Sequence, residues 1–214
     1  SNPDLTEDEL KAIAGEFAQV VNVVVIVPSH ERATYWIDIA AEKLSADNIE
    51  AGIAGLRAGH RGLVVIVNRY DGIDLADDAC RLLILDRLPT ARRGLDRIDD
   101  AILYGTDELL ARRVQRIEQG MGRGIRSAED WCVVILAGRS LTDTLYNQKA
   151  LSKLTPGTRA QLQLSEQVAD QIRGKPAGEL KGAIAQVIGR DQGWVQASKA
   201  ALVGVRYDRA GRIN

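Results

Sequence analysis

Four short runs dense in Val, Ile and Leu constrain this chain more than anything else in it: Val20–Val27, Leu63–Val67, Arg81–Leu88 and Trp131–Ala137. Each is too short and too rich in β-branched residues to favour a helix. None alternates cleanly between polar and apolar residues, which is how strands buried on both faces read. Helical periodicity fills the intervals. Thr6-Glu7-Asp8-Glu9 has the form of a capping box, followed by Leu10, Ile13 and Phe17. Glu31–Leu44 places Trp36, Ile37, Ala40 and Leu44 on one face, and Asn48–Leu56 fits a shorter helix. Ile98–Ile117 carries Ile102, Leu109, Leu110, Val114 and Ile117 at roughly helical spacing. Strand–helix alternation of this kind predicts an α/β domain: a mainly parallel sheet with helices on both faces.

The pattern changes near residue 145. From Asn147 to Ala201 no buried-strand run occurs, and helix-forming stretches are broken at Thr155-Pro156-Gly157 and Gly174-Lys175-Pro176. The expected organisation is therefore an α/β domain over 1–145 and a helical extension over 146–214. The total of 214 residues is enough for one sizeable core with an appendage.

Composition narrows the function classes. A 45% apolar and 27% charged chain with net charge −1 reads as a soluble globular protein without a global basic signature. Any binding of nucleic acid must rest on a local arrangement of charge. One local excess exists: Arg112, Arg113, Arg116, Arg123 and Arg126 face only Glu118 within their stretch. The two cysteines, Cys80 and Cys132, form no paired C-x-x-C, so no zinc or iron–sulfur ligand set is expected. No apolar stretch is long enough to span a membrane, and no signal peptide is legible in the acidic, polar amino terminus. A cytoplasmic location is the expectation.

The most informative string is Gln119-Gly120-Met121-Gly122-Arg123-Gly124-Ile125-Arg126, of the form Q-x-x-G-R-x-x-R, between the longest helical pattern and the strand at Trp131. In isolation it reads as a glycine-rich helix exit with surface arginines. Two further strings accompany it. Asn68-Arg69-Tyr70-Asp71-Gly72-Ile73-Asp74-Leu75 follows the strand Leu63–Val67 directly, and Val25-Ile26-Val27-Pro28-Ser29-His30 ends the first strand. Their plain readings are an Asp-Gly turn and a helix N-cap at Ser29.

Together, over residues 20 to 140, the three strings resemble motifs VI, V and IV of the second RecA-like domain of superfamily 2 helicases of the bacterial DEAD/DEAH-like branch, in the expected chain order IV, V, VI. Cys80–Pro89 resembles the strand that follows motif V there. The resemblance implies catalytic roles for Arg123 and Arg126, reaching across a cleft to ATP held by another domain. A planar guanidinium suits a phosphoryl group that gains charge in transfer. It implies nucleotide-side roles for Gln119, Gly122, Gly72 and Asp74. It implies nucleic-acid contacts for Ser29, Arg69 and Tyr70, with single-stranded DNA favoured over RNA as the partner.

The departures from a complete motor are equally informative. The sequence has no G-x-x-x-x-G-K-[ST] phosphate cradle and no Asp-Glu-x-His or Asp-Glu-Ala-Asp box for magnesium. ATP and Mg2+ are thus expected to be held mainly by an N-terminal RecA-like domain of the same polypeptide, and this chain alone is expected not to hydrolyse ATP. Two other classes fit the same residues. One is a motor domain of a duplex translocase of restriction or defence type, which moves without separating strands. The other is a degenerate, non-catalytic interaction module, against which the presence of both Arg123 and Arg126 argues. A dinucleotide-binding enzyme would need G-x-G-x-x-G after the first strand, where this chain has Pro28-Ser29-His30.

Overall fold

A computed structural model describes residues 5–70, 73–75, 77–88, 98, 101–122 and 131–205. Among these, β1 (Val23–Val27), β2 (Glu42–Leu44), β3 (Leu63–Val67), β4 (Leu82–Asp86) and β5 (Val133–Ala137) form one parallel sheet in the order β2-β3-β1-β4-β5. The register is straight: Val23–Val27 pairs residue for residue with Leu63–Val67, and Leu82 to Asp86 pairs with Val133 to Ala137. Every residue of β1, β3 and β4 is buried, as continuous apolar runs demand.

Successive side chains of a strand point to opposite faces, so each run feeds two cores. On one face Val24, Ile26, Val64, Ile66, Leu83 and Leu85 pack with Ile53 and Leu56 of α3 (Ile49–Ala58). Val114 and Ile117 of α4 (Asp107–Met121) and Leu141 of α5 (Arg139–Leu145) join them. On the other face Val23, Val25, Leu63, Val65, Leu82 and Ile84 meet Leu10, Ile13 and Phe17 of α1 (Glu7–Phe17). Ala33 of α2 (His30–Thr34) and Trp36 complete that layer. Each fully buried aliphatic side chain contributes about 1.5–3 kcal/mol. Helices on both faces of a parallel sheet are the α/β arrangement expected from the sequence. Approach is close in places: a Cβ at Gly52 of α3 would lie 2.2 Å from Leu44 Cδ2, so a larger residue there would have to displace the buried Leu44 side chain.

The helices beyond residue 145 are α6 (Gln148–Lys153), α7 (Pro156–Ile172), α8 (Ala177–Ile188) and α9 (Gln192–Leu202). Breaks fall where the sequence places them: Thr155 caps α7 with Pro156 in its first turn, and Gly174, at φ +70°, precedes α8. These helices share both cores. Ala150 and Leu154 lie in the first, and Ile184 lies in the second beside an ion pair between Lys181 and Glu16. At the start of β5, the Trp131 ring lies between the Arg81 and Arg190 guanidiniums, 3.8 and 4.3 Å from its centroid, and its Nε1 donates to Ile188 O at 3.3 Å.

Three elements differ from expectation. The first strand starts at Val23, because a turn over 18–20 leaves Val20 in solvent. The helix expected over Glu31–Leu44 stops at Thr34 and continues as turns, then as the short edge strand β2. Two tertiary bonds override helical periodicity there: Trp36 Nε1 donates to Asp86, and Ala41 N donates to Leu63 O at 2.8 Å. The helix expected over Ile98–Ile117 is interrupted: Ile98, Ala101 and Ile102 are helical, a turn over 103–105 with Gly105 at φ +79° breaks the run, and α4 starts at Asp107, capped by Thr106.

Candidate functional site

In an open parallel sheet, ligands collect at the carboxyl ends of the strands. Here those ends carry, in sheet order, Asn68-Arg69 after β3, Pro28-Ser29 after β1, Arg87 after β4 and Gly138-Arg139 after β5. Two non-glycine residues among them have positive φ: Asn68 at +49° and Arg87 at +74°. Both are held by the sheet, Asn68 N donating to Val27 O at 2.7 Å and Arg87 N to Ala137 O at 2.8 Å.

Ser29 is a helix cap. Its Oγ accepts from Arg32 N at 3.2 Å, opening α2. Arg32 in turn reaches the end of β4, where its Nε donates to Asp86 Oδ2 at 2.6 Å while its Nη2 meets Glu7 at 2.8 Å. Trp36 Nε1 donates to the same Asp86 oxygen at 2.7 Å. Asp86 and Trp36 are each 1% exposed. Burial works to lower the Arg32 pKa, but the hydrogen bond and charge of Asp86, aided by Glu7, outweigh it and raise it above the usual value. The Ser29 turn is thus fixed to the sheet by a partly buried, hydrogen-bonded ion pair.

The loop after β3 turns partly inward. Arg69 is half-buried. Tyr70, expected as a nucleic-acid contact, is only 3% exposed, so its ring has no face in solvent. Its hydroxyl donates to Arg87 O at 3.3 Å, and burial, with Asp86 nearby, pushes its pKa well above the ordinary range. Apolar Ile73 and Leu75 pull the loop into the core and leave Asp74 at its rim. There Asp74 accepts from Arg57 of α3 at 2.6 Å. Gly72 lies outside the described residues.

The loop meets the end of α4. Gly120 is buried, and a Cβ there would lie 3.2 Å from both Tyr70 Cδ1 and Leu85 Cδ1. Gln119 beside it is half-buried, and Gly122 closes the helix with open space around it. Arg123 and Arg126 lie outside the described residues, directly beyond this helix end. Glu118 ties the same helix end to the C-terminal helices: its Oε1 accepts from Thr155 N at 2.9 Å, Thr155 Oγ1 at 2.6 Å and Thr158 Oγ1 at 2.5 Å. Contacts therefore run unbroken from Gly120 through Tyr70, Arg87, Asp86 and Arg32 to Ser29. Among the described residues no group of three or more His, Cys, Asp or Glu is placed to hold a metal ion. None of their helices is long and apolar enough to cross a membrane.

Sequence reasoning did not single out Asp86, Arg32, Arg57 or Arg87 as members of the site. One signal for Asp86 was there: a lone carboxylate ending Leu82-Leu83-Ile84-Leu85 must find a partner if the strand is buried.

A five-stranded parallel sheet with helices on both faces, its strand-end loop packed on the glycine-containing end of α4, has the architecture of a RecA-like α/β domain. The model of the helicase C-terminal domain matches residues 18–157, and the chain belongs to that family. Over 110 residues, 48% of this chain and 17% of the relative, it is 31% identical to the ATP-dependent DNA helicase YoaA of Escherichia coli strain K12. Over 112 residues, 49% of this chain and 18% of the relative, it is 30% identical to YoaA of Haemophilus influenzae. The chain thus spans less than a fifth of the length of these relatives.

Proposed function

We propose that this chain is the second motor domain of an ATP-dependent helicase acting on DNA, completing an ATP site held mainly by an N-terminal RecA-like domain. The observation that carries the reading is the packing of Gly120 on Tyr70. It joins the helix end that leads into Arg123 and Arg126 to the loop that begins with Arg69. In this reading Arg123 and Arg126 stabilise the charge that develops on the transferring phosphoryl group. Gln119, Gly122, Gly72 and Asp74 shape the nucleotide side of the cleft, and Mg2+ comes with the nucleotide on the facing domain. Ser29 and Arg69 hold the backbone of a single strand, whereas Tyr70 acts from beneath by fixing the loop. Opening and closing of the cleft moves the strand across the carboxyl edge. The setting is the cytoplasm.

The test is ATP hydrolysis by a longer protein that includes the upstream domain, with single-stranded DNA, RNA or duplex DNA added, beside this chain alone. Hydrolysis stimulated by single-stranded DNA, with this chain silent, is expected. Stimulation by duplex alone would favour a translocase. No hydrolysis in any arm would leave an interaction module.

A further inference from the structure

We infer that Arg87 is an additional phosphate contact for the single strand, set beside Ser29 and Arg69 at the carboxyl edge; this rests on the nucleic-acid reading proposed above. Four observations converge on it. Arg87 follows β4, and β4 and β3 flank β1, so Arg69, Ser29 and Arg87 stand at the ends of three neighbouring strands. At the usual strand spacing they cover roughly 10 Å of the edge. The Arg87 side chain is 48% exposed, while the residue before it is buried.

The backbone of Arg87 is held at φ +74°, which disfavours a residue with a Cβ and costs of order 1 kcal/mol or more. Tyr70 Oη and Ala137 O hold it there through its carbonyl and amide. Packing alone would be served better by glycine at such a position, so the structure keeps a guanidinium at a local cost. Nor is that guanidinium engaged by a strong partner. Its acidic contacts are Glu7 at 3.5 Å and Asp86 at 3.9 Å, long beside the 2.7–2.9 Å typical of charge-assisted bonds. Asp86 is committed to Arg32 and Trp36, and Glu7 to Arg32. A phosphate approaching the edge is offered a planar fork of donors that closer pairing has not claimed.

The experiment is fluorescence anisotropy of this chain with labelled oligo-dT over a range of salt, with thermal unfolding followed for each variant. For single strands each phosphate contact adds about 0.7 to the log–log salt slope, so losing one weakens binding roughly fivefold at 0.1 M salt and flattens the slope by about 0.7. Arg87→Ala and Arg87→Gly are both expected to do this, and Arg87→Lys to restore the slope. Arg87→Gly matters most, because it relaxes the backbone and keeps the fold. Glu7→Gln is expected to tighten binding, but not when combined with Arg87→Ala. Arg173→Ala, which removes an equal charge at the end of α7, should leave the slope unchanged. If wild type binds and the Arg87 variants match it, or Arg173→Ala has an equal effect, the inference is overturned while the nucleic-acid reading stands. If wild type shows no salt-dependent binding, both fail.

Discussion

At the scale of single residues, Asp86 carries the heaviest structural role at the carboxyl edge. A carboxylate at the end of a buried strand is stable only with its partners in place. Asp86→Asn leaves Arg32 half-paired in a confined site and is expected to cost roughly 3 kcal/mol, measured by urea unfolding. A loss below about 1 kcal/mol would show that Glu7 alone satisfies Arg32. Glu9 supplies a test in pH. Its backbone hydrogen bond from Thr6 N, then that from Thr6 Oγ1, hold its pKa below the ordinary 4.5. A lowered folded pKa means that the contribution is present above the unfolded value and lost as pH falls through the folded one. Amide exchange at the start of α1 is therefore expected to quicken, relative to the rest of the helix, as pH falls through the lowered Glu9 pKa. Glu9→Gln should abolish that difference. The two cysteines add something spacing does not reveal: β4 and β5 bring the buried Cys80 and Cys132 sulfurs to 3.9 Å, though they lie 52 positions apart.

At the scale of elements, what was legible follows from burial. β1, β3 and β4 are apolar on both faces, so their residue types declare them, and α1 declares itself by its Thr6 capping box. β2 was illegible because a three-residue edge strand containing Glu42 and Lys43 buries only Leu44 fully. The broken helix after Thr34 was illegible for another reason, since it is set by bonds from Trp36 to Asp86 and from Ala41 to Leu63, remote in sequence. The candidate site divides in the same way. Its loops were legible from their Gly, Ser and Arg content after strands, whereas the inward turn of Tyr70 depends on the space left by Gly120. Gly120→Ala tests that contact. Helix propensity favours alanine by up to about 1 kcal/mol. Overpacking against Tyr70 and Leu85 typically costs 1–3 kcal/mol. Net destabilisation of about 1 kcal/mol is expected by thermal unfolding, with a larger proportional fall in DNA-stimulated hydrolysis by the longer protein; a stabilised variant would show that α4 shifts freely over β4.

At the scale of the whole molecule, the C-terminal helices buttress the helix that leads into the arginines. Glu118 receives three hydrogen bonds from Thr155 and Thr158, and α8 is fixed through Trp131 and Ile184. Thr155→Val removes one of the three and the α7 cap. About 1 kcal/mol of local stability should be lost, read as faster amide exchange in α7 with β1 and β3 unchanged; uniform exchange would mean that the helices are not fixed through this point. The central claim concerns what this domain does for nucleotide held elsewhere, and single-turnover ATP hydrolysis by the longer protein carrying Arg123→Ala tests it most directly. Loss of roughly 10³-fold or more in the hydrolysis rate with ATP affinity little changed is the expected result. A rate within a fewfold of wild type would contradict the account, leaving a domain that has the family's fold without its part in catalysis.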